Sequence, residues 1–389
     1  MSKVLSQSKM ENETGTLQNL VYVAENQYVN SGYIYDYLRE KCNNLFTIAF
    51  CKKDLKSSKL PYVILSYYRN GKLYKERKVT SILFIVFSSV RILHPFVYLM
   101  NFFVILCQVI KYRILIKEKI SFFSTGAMFS VSGLVLRLFR IVGRTVFYVV
   151  DYKGRETSGS VLTKKFSVWI GLCASFCLRF CDVTAVINDK ISKKMNISKK
   201  VSVIPLGTSM TDEPLNRRRK NANVRICYCG VIENKLFGLE LIPRLLEKRK
   251  DLYFDIIGSG NGLEKLKKQI SSERVIFYGF ISESERNSVL LCGDIGWAIN
   301  TSFTAQFSDP SKIKDYLSFK LPVLANTSQA VAPTLQKYGV GEVIDKITVN
   351  NILSAVDKII MNQNEYRKGI RKYNCDFEYH KLLDRLFYQ

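Results

Sequence analysis

Histidine is scarce in this sequence: its 389 residues include only two, His94 and His380. Protein zinc sites and the usual serine or cysteine triads both use histidine, so its scarcity argues against zinc chemistry and against triad catalysis. No internal repeat and no low-complexity run occurs. The polar residues 1–18 contain no apolar run, which predicts a tail rather than a signal peptide. With 47% hydrophobic residues, the chain is long enough for two globular domains.

The ten cysteines do not have the spacing of a disulfide framework. Because no signal peptide is evident, we expect free thiols and a cytosolic protein. Cys173, Cys177 and Cys181 recur every four residues, which places them on one stripe of a helix. No histidine is close to them in the sequence, so the stripe predicts buried thiols rather than a metal site. We expect no metal site in the chain.

Acidic residues are few in the first half of the chain. Residues 1–200 contain 31 Lys and Arg against 12 Asp and Glu, in a chain whose net charge is +25. The basic segments 67–78 and 111–119 flank stretches that are rich in aliphatic and aromatic side chains. Nucleic acid and an anionic membrane surface both attract such charge. The apolar stretches favour the membrane surface, and we expect no nucleic-acid partner.

One segment is apolar enough to raise the question of a membrane span. Ile92–Ile110 carries no formal charge over 19 residues. His94, Pro95, Asn101 and Gln108 argue against a span. The segment is therefore either a transmembrane helix or an interfacial or buried helix, and the sequence favours the second.

Strand patterns and helix patterns alternate along the whole chain, which is typical of α/β sheets with parallel strands. The polar, charged segment 208–223 interrupts this alternation and predicts a linker. We expect two Rossmann-like, doubly wound domains, with ligands bound at the carboxyl ends of their strands. The predicted divisions are a tail (1–18), a first domain (19–207), the linker, a second domain (224–362) and a helical tail that returns to the first domain (363–389).

The segment Ser308–Asn326 predicts a loop, a helix and a buried strand in succession. Ser308 or Asp309 is a suitable N-cap, and Pro310 then takes the first helical position, where its missing N–H costs nothing. Free backbone N–H groups and the positive end of the helix dipole favour an anion there. Lys312 adds a positive charge to this end.

Lys312, Asp315 and Tyr316 are spaced to share one face of that helix. A cation beside a carboxylate that accepts two hydroxyl protons suits the diphosphate and ribose of a nucleotide. The alternative is a capped surface helix with one salt bridge.

Four segments of the second half form a recognisable series: "RICYCGVI", "FDIIGSGNG", "VIFYGFIS" and "DPSKIKDYLSFKLPVLAN". Together they resemble the nucleotide-sugar domain of GT-B glycosyltransferases, most closely the retaining family-four group. The first half fits more loosely, through "FYVVDYKGRE", "CDVTAVINDKISKKM" and "VSVIPLG". The resemblance implies the GT-B fold, in which two Rossmann-like domains face a central cleft.

The resemblance also implies roles for individual residues. The donor-binding candidates share the second half of the chain, and they are Gly230, Lys235, Gly258, Phe280, Ile281, Asp309, Pro310, Ser311, Lys312 and Asp315. Asp315 resembles the residue that holds the ribose, and Asp309–Lys312 the diphosphate cradle. Asp151 and Lys312 are the catalytic candidates, and Gly32 and Arg155 the acceptor-binding candidates. Asp151 is equally consistent with a turn, whereas the residues themselves favour a tight turn at Gly32 and an exposed surface arginine at Arg155.

The chain departs from the family pattern at five positions. Phe307 replaces a glutamate eight residues before Asp315, and Val231 replaces the arginine after the phosphate glycine. The usual lysine has no direct match, and Lys235 is only nearby. Ser124 or its neighbour stands where the first half often has histidine. Lys320 replaces the glycine that ends the helix, which costs about 1 kcal/mol if its backbone is left-handed.

The resemblance implies transfer of a sugar from a nucleotide diphosphate sugar, with retention and without a cofactor. The basic, apolar first half predicts that the acceptor is a lipid-linked glycan of a bacterial surface polysaccharide. We expect a peripheral protein on the inner face of a bacterial plasma membrane, where basic and apolar segments contact anionic lipid. Two alternatives remain open. One is a non-catalytic GT-B partner of a membrane complex, which the lost acidic and basic residues allow. The other is a sugar-nucleotide epimerase of the same fold, which would not need the basic, apolar first half.

Overall fold

The computed structural model describes residues 17–25, 32–51, 62–80, 94–150, 161–196, 201–209 and 223–388. The chain divides into two compact units. The first unit is Met1–Val203 together with Leu386–Gln389, and the second is Ile204–Arg385. The division falls four residues before the end of the predicted first domain, and most of the predicted linker lies outside the described residues.

The strands are β1 (Leu17–Ala24), β2 (Cys42–Cys51), β3 (Tyr62–Arg69), β4 (Lys72–Val79), β5 (Ser121–Ser124), β6 (Arg144–Val149), β7 (Val183–Val186), β8 (Ser202–Val203), β9 (Val224–Cys229), β10 (Leu252–Ile257), β11 (Val275–Gly279), β12 (Ile295–Trp297), β13 (Val323–Asn326) and β14 (Gly341–Ile344). The helices are α1 (Gly32–Lys41), α2 (His94–Ile116), α3 (Ala127–Leu138), α4 (Val161–Phe180), α5 (Asp189–Lys194), α6 (Ile242–Lys248), α7 (Leu263–Gln269), α8 (Glu283–Leu291), α9 (Ser311–Ser318), α10 (Ala332–Tyr338), α11 (Val349–Met361), α12 (Gln363–Asp376) and α13 (Tyr379–Phe387).

The first unit contains an eight-stranded sheet in the order β4-β3-β2-β1-β5-β6-β7-β8. Its strands run parallel except at β2–β3 and β3–β4, which pair antiparallel. Asn70 and Gly71 both have positive φ and make the tight turn between β3 and β4, as an Asn-Gly pair favours. This hairpin makes β4 the edge of the sheet.

Helix α2 packs against the sheet of the first unit with one of its faces. Ile105, Val109 and Tyr112 are buried in that core. Tyr112 stacks on Phe46 of β2, with 4.9 Å between ring centroids. Among the described residues, one helix, Phe96–Ile116, is long and apolar enough to cross a membrane by length and composition.

The second unit contains a six-stranded sheet in the order β11-β10-β9-β12-β13-β14, and all of its strand pairs are parallel. Its strands are apolar runs such as β10, which is buried on both faces because helices cover the sheet. The second unit extends to Arg385, so most of the predicted tail (363–389) belongs to it rather than to the first domain, and Ile370 and Tyr373 are buried in its core. Only Leu386–Gln389 belongs to the first unit, where Phe387 stacks on Tyr37 at 5.9 Å. The predicted α/β architecture is confirmed in both units.

Candidate functional site

The N-terminus of α9 lies at the carboxyl end of the sheet in the second unit. The helix begins at Ser311, and Pro310 is its N-cap residue with extended backbone and no side-chain cap. The predicted cap at Ser308 or Asp309 is therefore wrong by one to two residues. No acidic side chain lies in the first turn of this helix. Its first N–H groups and its dipole thus favour an anion.

Asp309 does not turn toward this helix start, because its carboxylate has partners inside the unit. One carboxylate oxygen accepts a hydrogen bond from the backbone N–H of Leu206 at 2.9 Å. The other lies 3.0 Å from the ammonium nitrogen of Lys314, and both side chains are buried. The Lys314 ammonium also donates to the hydroxyl of Tyr373. Asp309, expected in the diphosphate cradle, is instead held in a buried ion pair.

Lys312 lies over the first glycine turn of the second unit. Its ammonium nitrogen is 4.5 Å from the ring centroid of Tyr228. The same nitrogen lies 3.4 Å from the position that a Cβ on Gly230 would occupy. Burial lowers the pKa of Lys312 to about 8, although Cys229 and Glu233 act in the opposite direction. This lysine forms no ion pair with a carboxylate of the described residues, so its charge is available to a ligand.

Asp315 is a half-buried carboxylate one helical turn after Lys312. Within the described part of the chain, its side chain forms no hydrogen bond and no ion pair. Burial raises its pKa, and the charge of Arg286 on α8 partly offsets this effect. Unpaired buried carboxylates are costly, and one beside a cation is suited to accept hydrogen bonds from ligand hydroxyls.

Tyr316, expected on the same face as these two residues, has a structural role. Its side chain is fully buried. The hydroxyl accepts a hydrogen bond from the backbone N–H of Cys229 at 2.8 Å and donates one to the carbonyl of Trp297 at 3.2 Å. Tyr316 therefore holds α9 against the ends of β9 and β12, which positions Lys312 and Asp315.

The two glycine turns after β9 and β10 pack backbone against backbone. Gly230 and Gly258 have φ of +148° and +130°, respectively. A Cβ on Gly258 would lie 1.9 Å from the carbonyl oxygen of Gly230, so only glycine fits. Gly258 also donates its N–H to the carbonyl of Gly279 at 2.8 Å, which brings the end of β11 to the same place. These contacts join Gly230, Gly258 and the start of α9 in one site.

Three further candidates lie on the surface around these turns. Phe280 directly follows Gly279 and is 91% exposed. Ile281 is half-buried, and Lys235 is exposed in the segment after β9. Val231, at the position of the family arginine, is also exposed and contributes no charge.

The candidates of the first unit do not form a site within the described residues. Gly32 is the first residue of α1, and a Cβ there would meet nothing within 4 Å. Asp151 and Arg155 lie outside the described residues. Ser124 is fully buried, and its hydroxyl contacts the hydroxyl of Ser130. Burial thus keeps the Ser124 side chain from contacting a substrate.

Sequence reasoning missed the residues that surround Lys312 and Asp315. Tyr228 and Cys229 precede the glycine turn, and Arg286 lies on α8 beside the Asp315 carboxylate. Position at the carboxyl end of a strand is a signal for the first two, since both belong to β9, whereas no residue spacing links Arg286 to the site. Among the described residues, no group of three or more His, Cys, Asp and Glu side chains is arranged to hold a metal ion.

No protein-family model matches the chain, and no curated protein matches it in sequence. Solved structures do match it over almost its whole length. The α,α-trehalose-phosphate synthase (UDP-forming) from Burkholderia xenovorans, in complex with glucose-6-phosphate, has a TM-score of 0.64 and 11% identity, over 94% of this chain and 98% of that chain. The lipopolysaccharide outer core galactosyltransferase WaaB, in its apo form, has a TM-score of 0.58 and 13% identity, over 96% and 99%. HepE from Anabaena, in complex with UDP, has a TM-score of 0.58 and 9% identity, over 94% and 98%. The chain has the GT-B fold of these glycosyltransferases, as its sequence predicts.

Proposed function

We propose that this protein is a glycosyltransferase that takes its sugar from a nucleotide diphosphate sugar. One observation carries the proposal: the Lys312 ammonium lies over Gly230 at an uncapped helix N-terminus, and the unpaired carboxylate of Asp315 lies one turn further along that helix. The helix N-terminus and Lys312 are suited to bind an anion, and the Asp315 carboxylate is suited to accept hydrogen bonds from a pair of hydroxyl groups. A nucleotide diphosphate contains both.

The donor is expected to lie along the carboxyl ends of β9, β10 and β11. Its diphosphate would contact the N–H groups of Ser311 and Lys312 and the ammonium of Lys312. Its ribose hydroxyls would donate to Asp315. The base would lie beside Gly258, Phe280 and Ile281, where an exposed aromatic ring offers a stacking surface.

The reaction breaks the bond between the sugar carbon and the diphosphate oxygen and forms a bond from that carbon to an acceptor oxygen. Negative charge develops on the departing diphosphate, where the α9 N-terminus and Lys312 stabilise it. We propose a retaining course, in which the acceptor hydroxyl attacks from the face that the diphosphate leaves. Its proton then passes to an oxygen of the departing diphosphate. Asp151 and Arg155 remain proposed contacts of the sugar and the acceptor.

The names of the structural neighbours guide the choice of donor and acceptor. Two of them are described as forming or binding UDP, so we propose a uridine diphosphate sugar as the first donor to test. One is a lipopolysaccharide galactosyltransferase, which supports a glycan acceptor for a bacterial surface polysaccharide. A lipid-linked acceptor would fit the basic, apolar first half of the chain, and we propose that the protein acts at the cytoplasmic face of the membrane.

The experiment is a thermal-stability screen of nucleotide sugars, followed by calorimetric titration of those that stabilise the protein. The donor should bind to wild-type protein and should lose binding when Asp315 is replaced by Ala in a protein that remains folded. NMR of the product then reports the anomeric configuration. Unchanged donor affinity in Asp315→Ala would contradict the proposed donor site. A product with inverted anomeric configuration would contradict the proposed retaining mechanism.

A non-catalytic GT-B protein is the second candidate, because Val231 and the buried Phe307 stand where the family has an arginine and a glutamate. Such a protein would bind the donor without turning it over. Prolonged incubation with the stabilising donor separates the two functions, since a transferase releases the nucleotide diphosphate by transfer or slow hydrolysis.

A further inference from the structure

The outward face of α2 is mostly apolar, although the inward face of the helix is already buried in the core. Phe103 is 56% exposed and Leu115 is 69% exposed. Exposed positions recur at helical spacing, so that they form one stripe of the helix. The stripe consists of Leu99, Phe103, Cys107, Ile110, Lys111, Ile114 and Leu115. A soluble helix normally places polar residues on this side.

Helix α4 has a similar outward face. Leu172 is 64% exposed, and Trp169 and Phe176 are also exposed. Lys165 and Arg179 lie on the same exposed stripe, toward the two ends of the helix. Aromatic and aliphatic side chains between basic ones are typical of helices that lie in a membrane interface.

The two helices are neighbours within the first unit. The rings of Tyr98 on α2 and Phe166 on α4 are 5.4 Å apart between centroids. Helix α3 contacts both helices. The exposed apolar side chains of α2 and α4 therefore belong to one region of the unit, larger than the single exposed apolar residues common on soluble proteins.

Strand β4 adds a basic border to this region. Every residue of β4 is exposed, and Lys75 pairs with Tyr67 on β3. Tyr67 contacts Tyr112 of α2, with ring centroids 5.8 Å apart. Directly opposite residues of antiparallel strands share a face, so Lys75 and Arg77 lie on the sheet face that α2 covers. The acidic residue of the strand, Glu76, accepts a hydrogen bond from Ser66 on the opposite face.

We propose that the outward stripes of α2 and α4 and the basic residues of β4 form one lipid-binding surface for an anionic bilayer. This proposal rests on the proposed membrane location and specifies the contact. The apolar stripes would enter the headgroup region while Lys75, Arg77, Lys111, Lys165 and Arg179 contact anionic headgroups. A full span by α2 is disfavoured, because Ile105, Val109 and Tyr112 are buried against the sheet. The excess of basic residues favours anionic lipid over a second copy of the chain, which would repel it.

Flotation of the full-length protein with vesicles tests the surface. Vesicles of phosphatidylglycerol and phosphatidylcholine should bind the wild-type protein, and phosphatidylcholine alone should bind it weakly. The variant Lys75→Gln with Arg77→Gln should bind anionic vesicles roughly 25-fold more weakly, at about fivefold per charge removed. Its matched control is Lys265→Gln with Lys268→Gln on α7, which removes two exposed charges from the second unit and should bind as wild type.

The apolar stripes are tested with Phe103→Ser combined with Leu115→Ser, and separately with Leu172→Ser combined with Phe176→Ser. Both variants should lose vesicle binding while their circular dichroism stays that of the wild type. Met361→Ser is the control, because Met361 is an exposed apolar residue of the second unit. Equal losses in the controls, or no binding of wild type to anionic vesicles, would overturn the proposal. A shift from dimer to monomer in the stripe variants, with vesicle binding unchanged, would instead assign the surface to a second copy.

Titration of the wild-type protein with nucleotide sugars separates this proposal from the proposed function. Donor binding without vesicle binding overturns the lipid-binding surface alone. Vesicle binding without donor binding overturns the transferase alone.

Discussion

The ammonium nitrogen of Lys314 lies 3.0 Å from a carboxylate oxygen of Asp309, and both side chains are buried in the second unit. Burial opposes the charge on Lys314, but the Asp309 carboxylate and the Tyr373 hydroxyl outweigh it and raise the lysine pKa. Asp309 precedes α9 and Tyr373 lies on α12, so the pair joins the start of the site helix to the C-terminal helices. The site helix thus depends on an ion pair that is buried inside the second unit.

Replacing Lys314 by Met should lower the free energy of unfolding of the second unit by about 3 to 5 kcal/mol, because Asp309 would remain as a buried, unpaired charge. The chain has two tryptophans, Trp169 and Trp297, so urea unfolding in a Trp169→Phe background reports on the second unit through Trp297. Lys265→Met on α7 is the matched control and should leave stability unchanged. A loss for Lys314→Met no larger than that of the control would contradict the role of the pair.

The fold was predictable because its signals are local. Apolar runs alternate with amphipathic segments, and Asn70–Gly71 marks the hairpin. The cap of α9 was not predictable from the same signals. Asp309 is a good N-cap by residue type, yet its carboxylate is bound to Leu206, 103 residues earlier, and to Lys314. The spacing of residues along the chain does not reveal partners that are so far apart in the sequence.

Part of the candidate site was also predictable. The spacing of Lys312 and Asp315 predicts that they share a helix face, and the family resemblance implies that Gly230 and Gly258 belong to the same site. The Tyr316 side chain points into the core because it packs against β9 and β12. The spacing of residues along a helix does not predict such packing. Arg286 was missed for the same reason, since its effect on Asp315 depends on how α8 packs beside α9.

Replacing Asp315 by Asn should weaken donor binding about 100-fold, because the amide has no charge and keeps only one acceptor oxygen for the two ribose hydroxyls. The same change should raise the free energy of unfolding without ligand by about 1 kcal/mol, because it removes an unpaired half-buried carboxylate. Calorimetric titration and urea unfolding measure the two effects. Glu240→Gln, at an exposed carboxylate of the same unit, is the control and should alter neither. A destabilised Asp315→Asn protein would assign Asp315 to the fold rather than to the donor.

Replacing Lys320 by Gly should stabilise the second unit. Lys320 has φ of +58°, and the N–H of Leu321 bonds to the carbonyl of Tyr316 at 2.9 Å, so α9 ends in a Schellman motif. A side chain in this left-handed conformation costs about 1 kcal/mol, which glycine avoids. Lys320→Ala keeps the Cβ and serves as the control, with no gain expected. Urea midpoints followed by Trp297 fluorescence compare the variants, and equal midpoints for Gly and Ala would show that the backbone is not strained.

The charge of Lys312 should make donor binding depend on pH. In the free protein its pKa is about 8, lowered by burial. A bound diphosphate favours the charged form and raises this pKa, so protein without donor loses the proton first as the pH rises. Donor affinity should therefore be constant below pH 8 and should fall by up to about tenfold per pH unit above it. Lys312→Arg, which stays charged, should bind the donor with no such fall, and Lys312→Met should bind it weakly at every pH. Calorimetric titrations from pH 6.5 to 9.5 measure these profiles. A wild-type profile as flat as that of Lys312→Arg would place the diphosphate away from Lys312.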